Sequence, residues 1–385
     1  MRICRHFSQC GGCSFQDIPY EDQLKIKAKK IRELASRYNI KTDILPVNSY
    51  NLMHYRGKME FTFSKSDGLV CGLHNKTKKR QVLDIEECLI FSPDTGRILE
   101  AVRRFCRERK YSVYNKYSHK GFLRNLILKE TKFGKELMVG IVTTSEDNFD
   151  EEGFLQCMLS LKLSSPVKSI YRIINDSLSD AVVFQEKKLL FGKEFIRENI
   201  LGFNFRIGID TFFQVNSFAA GDFFKKIREY TSLDKGKSVL DIFCGSGIIG
   251  IFLAPEAKFV WGVEVSKEIV GVAWQNAHIN RIKNVSFFAS DARRFLNNEG
   301  SFYKNIDLLV INPPRSGLSK RIIRAVLRLK PKEIFYSSCN PDAFCRDISC
   351  LRDKYALRFI EPFDFFPHTP HMECFGPLRR SDNIS

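Results

Sequence analysis

The sequence predicts an α/β protein. Its C-terminal part is a Rossmann-like doubly wound sheet, preceded by an α+β region and a short cysteine-rich segment. Three observations carry that expectation. Ser238–Phe243 is a short apolar run with β-branched residues that breaks at Gly245-Ser246-Gly247 and gives way to an apolar helical run ending at Ala254. Five runs (Val239–Phe243, Phe259–Glu264, Val285–Ala289, Ile306–Ile311 and Glu333–Ser338) alternate with helical segments, which is the pattern of a parallel sheet with crossover helices. Upstream of residue 210, short strands and turn signals replace that alternation.

The first βα turn suggests a ligand. A strand, a glycine turn and a helix bring backbone N–H groups beside a bound molecule, and glycines let it come close. Gly262-Val263-Glu264 ends the next run, about twenty residues on, where an acid can hold ribose hydroxyls. The pairing favours an adenosine-type cofactor over a purely structural turn, with NAD and S-adenosylmethionine both open at this point. Polar residues stand at four strand ends, Asp241, Glu264, Asp291 and Asn312, on the edge where open α/β sheets bind ligands.

The chain has 61 Lys and Arg against 44 Asp and Glu, a net charge of +17. That excess suits a polyanion such as nucleic acid, against the plainer reading of a basic, well-solvated surface. There is no apolar signal core and no run of ~18 apolar residues, so a cytoplasmic protein without a membrane span is expected. In that setting its twelve cysteines are not expected to form a disulfide framework.

In chain order, Cys4, Cys10 and Cys13 come first, in CRHFSQCGGC. Gly11-Gly12 permits a tight path that turns two thiols towards one ion, and Cys88 is the best fourth ligand. Four thiolates suit Zn²⁺ or a [4Fe–4S] cluster, and the spacing differs from the C-x₃-C-x₂-C of radical enzymes. Tyr20–Tyr38 reads as a charged helix with Leu24, Ile31, Leu34 and Ala35 on its apolar face. Met59–Ser64, Leu69–His74, Gly121–Leu128, Glu136–Thr143, Ser169–Ile174 and Ala181–Gln185 are expected strands, with a turn at Lys65–Gly68 and a basic loop at His74–Arg80. Without a nucleophile–base pair, this region reads as a platform for substrate. Gln214 and Asn216 precede a helix expected over Ser217–Ser232, where a helix cap explains them as readily as a ligand.

Two later motifs carry chemistry. Cys339, in SSCNP, stands at a ligand-facing strand end with Asn340-Pro341 setting a turn, which favours a nucleophile over a packed thiol. His368-Thr-Pro-His371-Met-Glu373 supplies a carboxyl and two histidines; the proline breaks helical spacing, so Glu373 as an acid or base is preferred to a zinc pair. Cys345 and Cys350 read as helix-packing residues.

Taken together, these motifs resemble the S-adenosylmethionine-dependent RNA uracil-C5 methyltransferases, from Cys4 almost to the C-terminus. The resemblance implies a [4Fe–4S] cluster on Cys4, Cys10, Cys13 and Cys88, and cofactor contacts from Gln214, Phe243, Gly245, Gly247, Glu264, Asp291 and Asn312. It implies Cys339 as nucleophile, Glu373 as general base, and Asn312 and Arg315 at the substrate base. It divides the chain into a cysteine-rich segment with its helix (1–40), an RNA-binding α+β domain that supplies Cys88 (41–210) and a methyltransferase domain (211–385). The implied reaction gives 5-methyluridine, with 23S ribosomal RNA as the expected substrate and the T-loop uridine of transfer RNA as the alternative. A monomer is expected. A non-catalytic RNA-binding or ribosome-assembly factor is a rival of another class, and a redox-responsive iron–sulfur protein a further one.

Two departures from the family pattern matter. Many bacterial members carry a TRAM domain before the cysteine motif, whereas three residues precede Cys4 here, so RNA grip is expected from the central region or a partner. Asn312 replaces the Asp of the family's D-P-P-R motif. Its amide can accept from uracil N3–H and donate to O4, so the change is compatible with uracil.

Overall fold

The computed structural model describes residues 2–66, 68–78, 80–179, 182–231, 233–298 and 305–381. The chain forms two compact units, one comprising residues 1–18, 51–199 and 206–217, the other residues 19–50, 200–205 and 218–385.

The first unit is built on a seven-stranded sheet in the order Val82–Asp84, Gly68–His74, Lys58–Ser66, Leu123–Glu130, Leu137–Thr143, Val167–Ile174, Glu186–Gly192. The expected hairpins form: Ser66 pairs with Gly68 across the turn, and Leu123–Glu130 runs antiparallel to Leu137–Thr143. Leu137–Thr143 is buried along its whole length, because strands flank it on both sides and helices Thr95–Glu108 and Glu151–Leu159 belong to the same unit. The strand expected over 181–185 is absent from its described part, Val182–Gln185; Ala181, like Asp67 of the expected turn, lies outside the described residues. The strand falls at Glu186–Gly192 instead. It is an edge strand with mostly exposed side chains, and its charged Glu-Lys-Lys start hides it from an apolar-pattern reading.

The second unit holds the doubly wound sheet. Its parallel strands stand in the order Val285–Ala289, Phe259–Glu264, Ser238–Ile242, Leu308–Ile311, Glu333–Ser338, so the strand order reverses beside Ser238–Ile242. Glu373–Arg380 then adds antiparallel to Glu333–Ser338, followed by Phe359–Phe363 and Asp43–Ile44. Helix Tyr20–Arg37 packs Ile31, Leu34 and Ala35 into the same core as Phe344, Cys345 and Ile348 of helix Pro341–Ser349. The apolar face differs from the expected one. Leu24 is only partly buried, whereas Gln23 and Lys27 are inside.

An aromatic cluster backs the strand that begins at Glu373. Phe375 lies 5.7 Å from Phe223, 4.8 Å from Phe335 and 5.1 Å from Phe363 between ring centroids. Tilted and edge-on contacts of this kind contribute about 0.5–1.5 kcal/mol per pair beyond burial, and here they fix the position of one strand end.

Candidate active site

The carboxyl edge of the parallel strands gathers the sequence-selected residues of the second unit. Ile242 pairs with Val263 on one side and Ile311 on the other, so Phe243, Glu264 and Asn312 extend neighbouring rungs at the reversal point. Asp291 follows one residue after Ser290, whose N–H donates to the Glu264 carbonyl at 2.9 Å. Open α/β sheets bind ligands at this edge.

The glycine turn has two different glycines. Gly245 (φ +53°) has no atom within 4 Å of where a Cβ would stand, so its backbone faces open space. Gly247 (φ +78°) would drive a Cβ to 2.8 Å from the Phe287 ring, so its smallness serves packing. Phe243 is also left-handed (φ +65°), a conformation that costs a non-glycine residue about 1–3 kcal/mol and occurs where surroundings impose it. Glu264 is held still: Oε1 accepts from Val265 and Ser266 N–H at 2.8 and 3.2 Å, and Oε2 from Gly245 N–H at 3.3 Å. A fixed carboxylate beside an open glycine backbone fits the ribose and methionine portions of an adenosine cofactor. Asp241 is 1% exposed, and burial pushes its carboxyl up to about 8, with the Gly250 backbone N–H opposing and the Glu264 charge adding to the rise. Gln214 lies in the first unit, half-buried, on a segment tied down by the Gly57 N–H bond to the Val215 carbonyl at 2.6 Å.

Three strand ends bring the reactive residues together. Ser338 pairs with Cys374, so Cys339 and Glu373 continue the same antiparallel ladder by one rung. Cys339 ends its strand because Asn340 caps the next helix: its Oδ1 accepts from Asp342 N–H at 3.2 Å and Pro341 opens the helix. The Asn340 amide donates to the Arg315 carbonyl at 3.0 Å, binding the Asn312–Arg315 loop to the Cys339 turn. Buried Asp347 holds the other end of that loop, accepting from Leu318 N–H at 2.7 Å and Tyr336 OH at 2.6 Å.

The electrostatics divide the roles. Burial and the nearby Glu373 charge push the Cys339 thiol up, while the Arg315 guanidinium, by charge and a hydrogen bond, pulls it back. Glu373 is 5% exposed, its Oε1 has no hydrogen-bond partner, and burial pushes it up to about 8. Two anions side by side would repel, so the pair resists ionising together. Arg315 Nη2 also lies 3.3 Å from His371 Nδ1, which joins the two motifs.

Reading the sequence alone missed the residues that hold the Glu373 approach. His368 (φ +65°) is fully buried; its backbone N–H donates to Gln23 Oε1 at 3.0 Å and its Nδ1 lies 3.2 Å from Gln23 Nε2. Lys27 pairs with Asp364, both side chains buried, and also donates to the Phe366 carbonyl at 3.1 Å. Tyr20 OH donates to the other Asp364 oxygen at 3.0 Å. A signal was present: Gln23, Lys27, Ile31 and Ala35 recur at four-residue spacing on one helix face, so two polar residues share the apolar stripe.

In the first unit, Cys4, Cys10, Cys13 and Cys88 come within electrostatic reach. Burial chiefly raises the Cys13 thiol, to about 11, with Cys10 and Cys4 adding to it; burial likewise raises Cys88 to about 12, with Cys13 and Cys10 adding. All twelve cysteines are free thiols. Among the described residues, no group of three or more His, Cys, Asp or Glu side chains is placed to hold a metal ion. Among those residues no helix is long and apolar enough to cross a membrane.

The sequence model of the tRNA (uracil-5-)-methyltransferase family matches residues 19–381. The chain belongs to this family. It is accordingly an S-adenosylmethionine-dependent RNA (uracil-5-)-methyltransferase. It is 36% identical to an uncharacterized RNA methyltransferase of Clostridium tetani over 99% of this chain and 84% of the relative. It is 32% identical to the tRNA (uracil(54)-C(5))-methyltransferase of Pyrococcus abyssi, over 97% of this chain and 85% of that one. The crystal structure of the Pyrococcus abyssi tRNA (uracil-54, C5)-methyltransferase with S-adenosyl-L-homocysteine superposes with a TM-score of 0.79 at 31% identity, covering 96% of this chain and 86% of that chain. The doubly wound methyltransferase core expected from the sequence is therefore the observed fold.

Proposed function

We propose that the enzyme methylates C5 of one uridine in RNA through a covalent adduct between Cys339 and uracil C6. The observation that carries this reading is the ladder register that sets Cys339 beside Glu373, with Arg315 on the thiol. The Cys339 thiolate adds to C6, and the electron pair of the C5–C6 bond passes into an enolate spread over C5 and O4. Arg315 favours the thiolate before addition, and the Asn312 amide is suited to pair with N3–H and O4. S-adenosylmethionine supplies the electrophilic methyl group that C5 takes up. Glu373 then removes the C5 proton, the C5–C6 double bond re-forms and Cys339 leaves. A carboxylate with a raised affinity for protons is the stronger base, which is what burial gives Glu373. The target base must leave its stack to reach two reactive groups at a sheet edge.

Gln214, Phe243, Gly245, Gly247, Glu264 and Asp291 are the proposed cofactor contacts. The fixed Glu264 carboxylate and the open Gly245 backbone support this assignment most directly. Cys4, Cys10, Cys13 and Cys88 would hold a [4Fe–4S] cluster with a structural role. The spacing of CRHFSQCGGC in the sequence and the mutual electrostatic reach of the thiols support it, although the described side chains are not arranged around an ion in this structure.

The substrate reading is a uridine of 23S ribosomal RNA, for which the N-terminal cysteine motif speaks. The similarity to the Pyrococcus abyssi enzyme favours a second reading, the T-loop uridine of transfer RNA. Transfer of labelled methyl onto separated ribosomal and transfer RNAs, followed by nucleoside analysis, tests both. Label in 5-methyluridine of the 23S fraction supports the first and label in transfer RNA the second. Label in neither overturns the proposed reaction.

A further inference from the structure

We infer that two basic turns of the first unit, residues 74–78 with Arg80 and residues 115–120, form one docking surface for single-stranded RNA, with Tyr117 as a base-stacking platform. The inference rests on RNA being the substrate, and adds where the strand is gripped. The two segments, HNKTKKR and NKYSHK, carry six Lys and Arg and no Asp or Glu. The described residues of each are pinned by an asparagine side chain. Asn75 Oδ1 accepts from Thr77 N–H, Thr77 OH and Lys78 N–H at 2.9, 3.0 and 3.0 Å. Asn115 Oδ1 accepts from Tyr117 and Ser118 N–H at 2.9 and 3.2 Å, and the turn closes with Asn115 N–H on the Lys120 carbonyl at 2.8 Å. Such side-chain turns fix the loop backbone locally while leaving its remaining side chains to solvent.

The two turns meet at one ring. The Arg80 guanidinium lies 5.9 Å and the Lys116 ammonium 5.7 Å from the Tyr117 centroid. Tyr117 is nonetheless 65% exposed, a large flat ring presented to solvent. Lys76, Lys78, Arg80, Lys116 and Lys120 are all exposed around it. Beneath them the start of the first turn is seated on the N-terminal cysteine segment: Lys76 N–H donates to the Gln9 carbonyl at 2.7 Å and Gly11 N–H to the His74 carbonyl at 3.2 Å. A cysteine segment that fixes this loop gives the N-terminal motif a physical task in RNA binding.

The combination selects the partner. Cations alone would suit any polyanion, but an exposed aromatic ring among them matches the pairing of phosphate contacts and base stacking that holds unpaired strands. A duplex keeps its bases stacked on one another and offers Tyr117 no free face.

The test uses the full chain and a fluorescein-labelled 12-nucleotide oligouridylate, with a 12-base-pair RNA duplex as comparison, titrated across salt. Tyr117→Ala should weaken oligouridylate binding at least about fivefold, Tyr117→Phe should restore it, and duplex binding should change little. Lys76→Gln, Lys78→Gln and Lys120→Gln together should lower the salt slope by about 2, since each phosphate contact on a single strand contributes about 0.7. In methyl transfer, Tyr117→Ala should raise the KM for RNA and leave kcat unchanged. Unaltered oligouridylate affinity in Tyr117→Ala, or equal losses on strand and duplex, would overturn the docking surface while the uridine chemistry stands. Absence of 5-methyluridine formation by the unaltered enzyme would instead remove the functional reading.

Discussion

Glu373 and Cys339 occupy the next rung beyond the Ser338–Cys374 pair, the proposed base beside the proposed nucleophile although 34 positions separate them in the chain. That adjacency ties the two residues to one reaction with separable steps.

Cys339→Ala should abolish methyl transfer and leave S-adenosylmethionine binding intact, because the proposed task of the thiol is addition to uracil C6 and not contact with the cofactor. Glu373→Gln keeps the shape but cannot take the C5 proton. It should accumulate a denaturation-resistant protein–RNA adduct containing methylated uracil, with turnover down by about 10²–10⁴. Combining the two changes should erase the adduct on a denaturing gel. An adduct that survives in the double variant rules out Cys339 as the linking atom.

The raised Glu373 carboxyl predicts a pH profile. The base must be ionised, so the single-turnover rate should climb as pH rises through about 8; the raised Cys339 thiol pushes the same way. The stability effect has the opposite sign. Folded Glu373 keeps a proton that the unfolded chain releases above its ordinary 4.5, so this group costs stability progressively between pH 4.5 and about 8. Glu373→Gln should therefore melt higher than the parent, by on the order of 3 kcal/mol at pH 7, with no difference below pH 4.5. Melting curves at pH 4, 6 and 8 measure it, and a gap that shrinks with pH would contradict the burial argument.

Gln23 and Lys27 act on the site through the segment before Glu373. Lys27→Met leaves Asp364 charged and buried without its cation, and should cost about 3–5 kcal/mol in denaturant unfolding. Gln23→Leu releases the fully buried His368, and should slow resolution of the covalent adduct more than its formation. Rapid-quench kinetics separate the two rates; equal slowing would make Gln23 a general stability residue.

Anaerobically purified protein should contain about four iron and four labile sulfide per chain, the stoichiometry of a [4Fe–4S] cluster. Cys88→Ser should lower both. Stoichiometric zinc in place of iron would reassign the four thiols to a single ion.

The residues proposed to carry chemistry were picked out in the sequence because each sits where a local pattern changes. Cys339 and Asn312 end apolar runs, Gly245 breaks one, and Asn340-Pro341 announces a helix start, all within a few residues of their signal. The parallel core was legible for the same reason, since a strand buried on both faces leaves an unbroken apolar run. Tertiary structure alone decided the rest. Glu373 owes its raised proton affinity to burial on a strand backed by Phe223, Phe335 and Phe363, contacts drawn from three distant segments. Gln23 and Lys27 share the helix face of Ile31 and Ala35, and only the fold supplies Asp364 and His368 as the partners that let them lie inside. Glu186–Gly192 pairs at a sheet edge despite its charges. Local pattern records which backbone a segment prefers; the environment of a charge is set by whatever the fold brings against it from far along the chain.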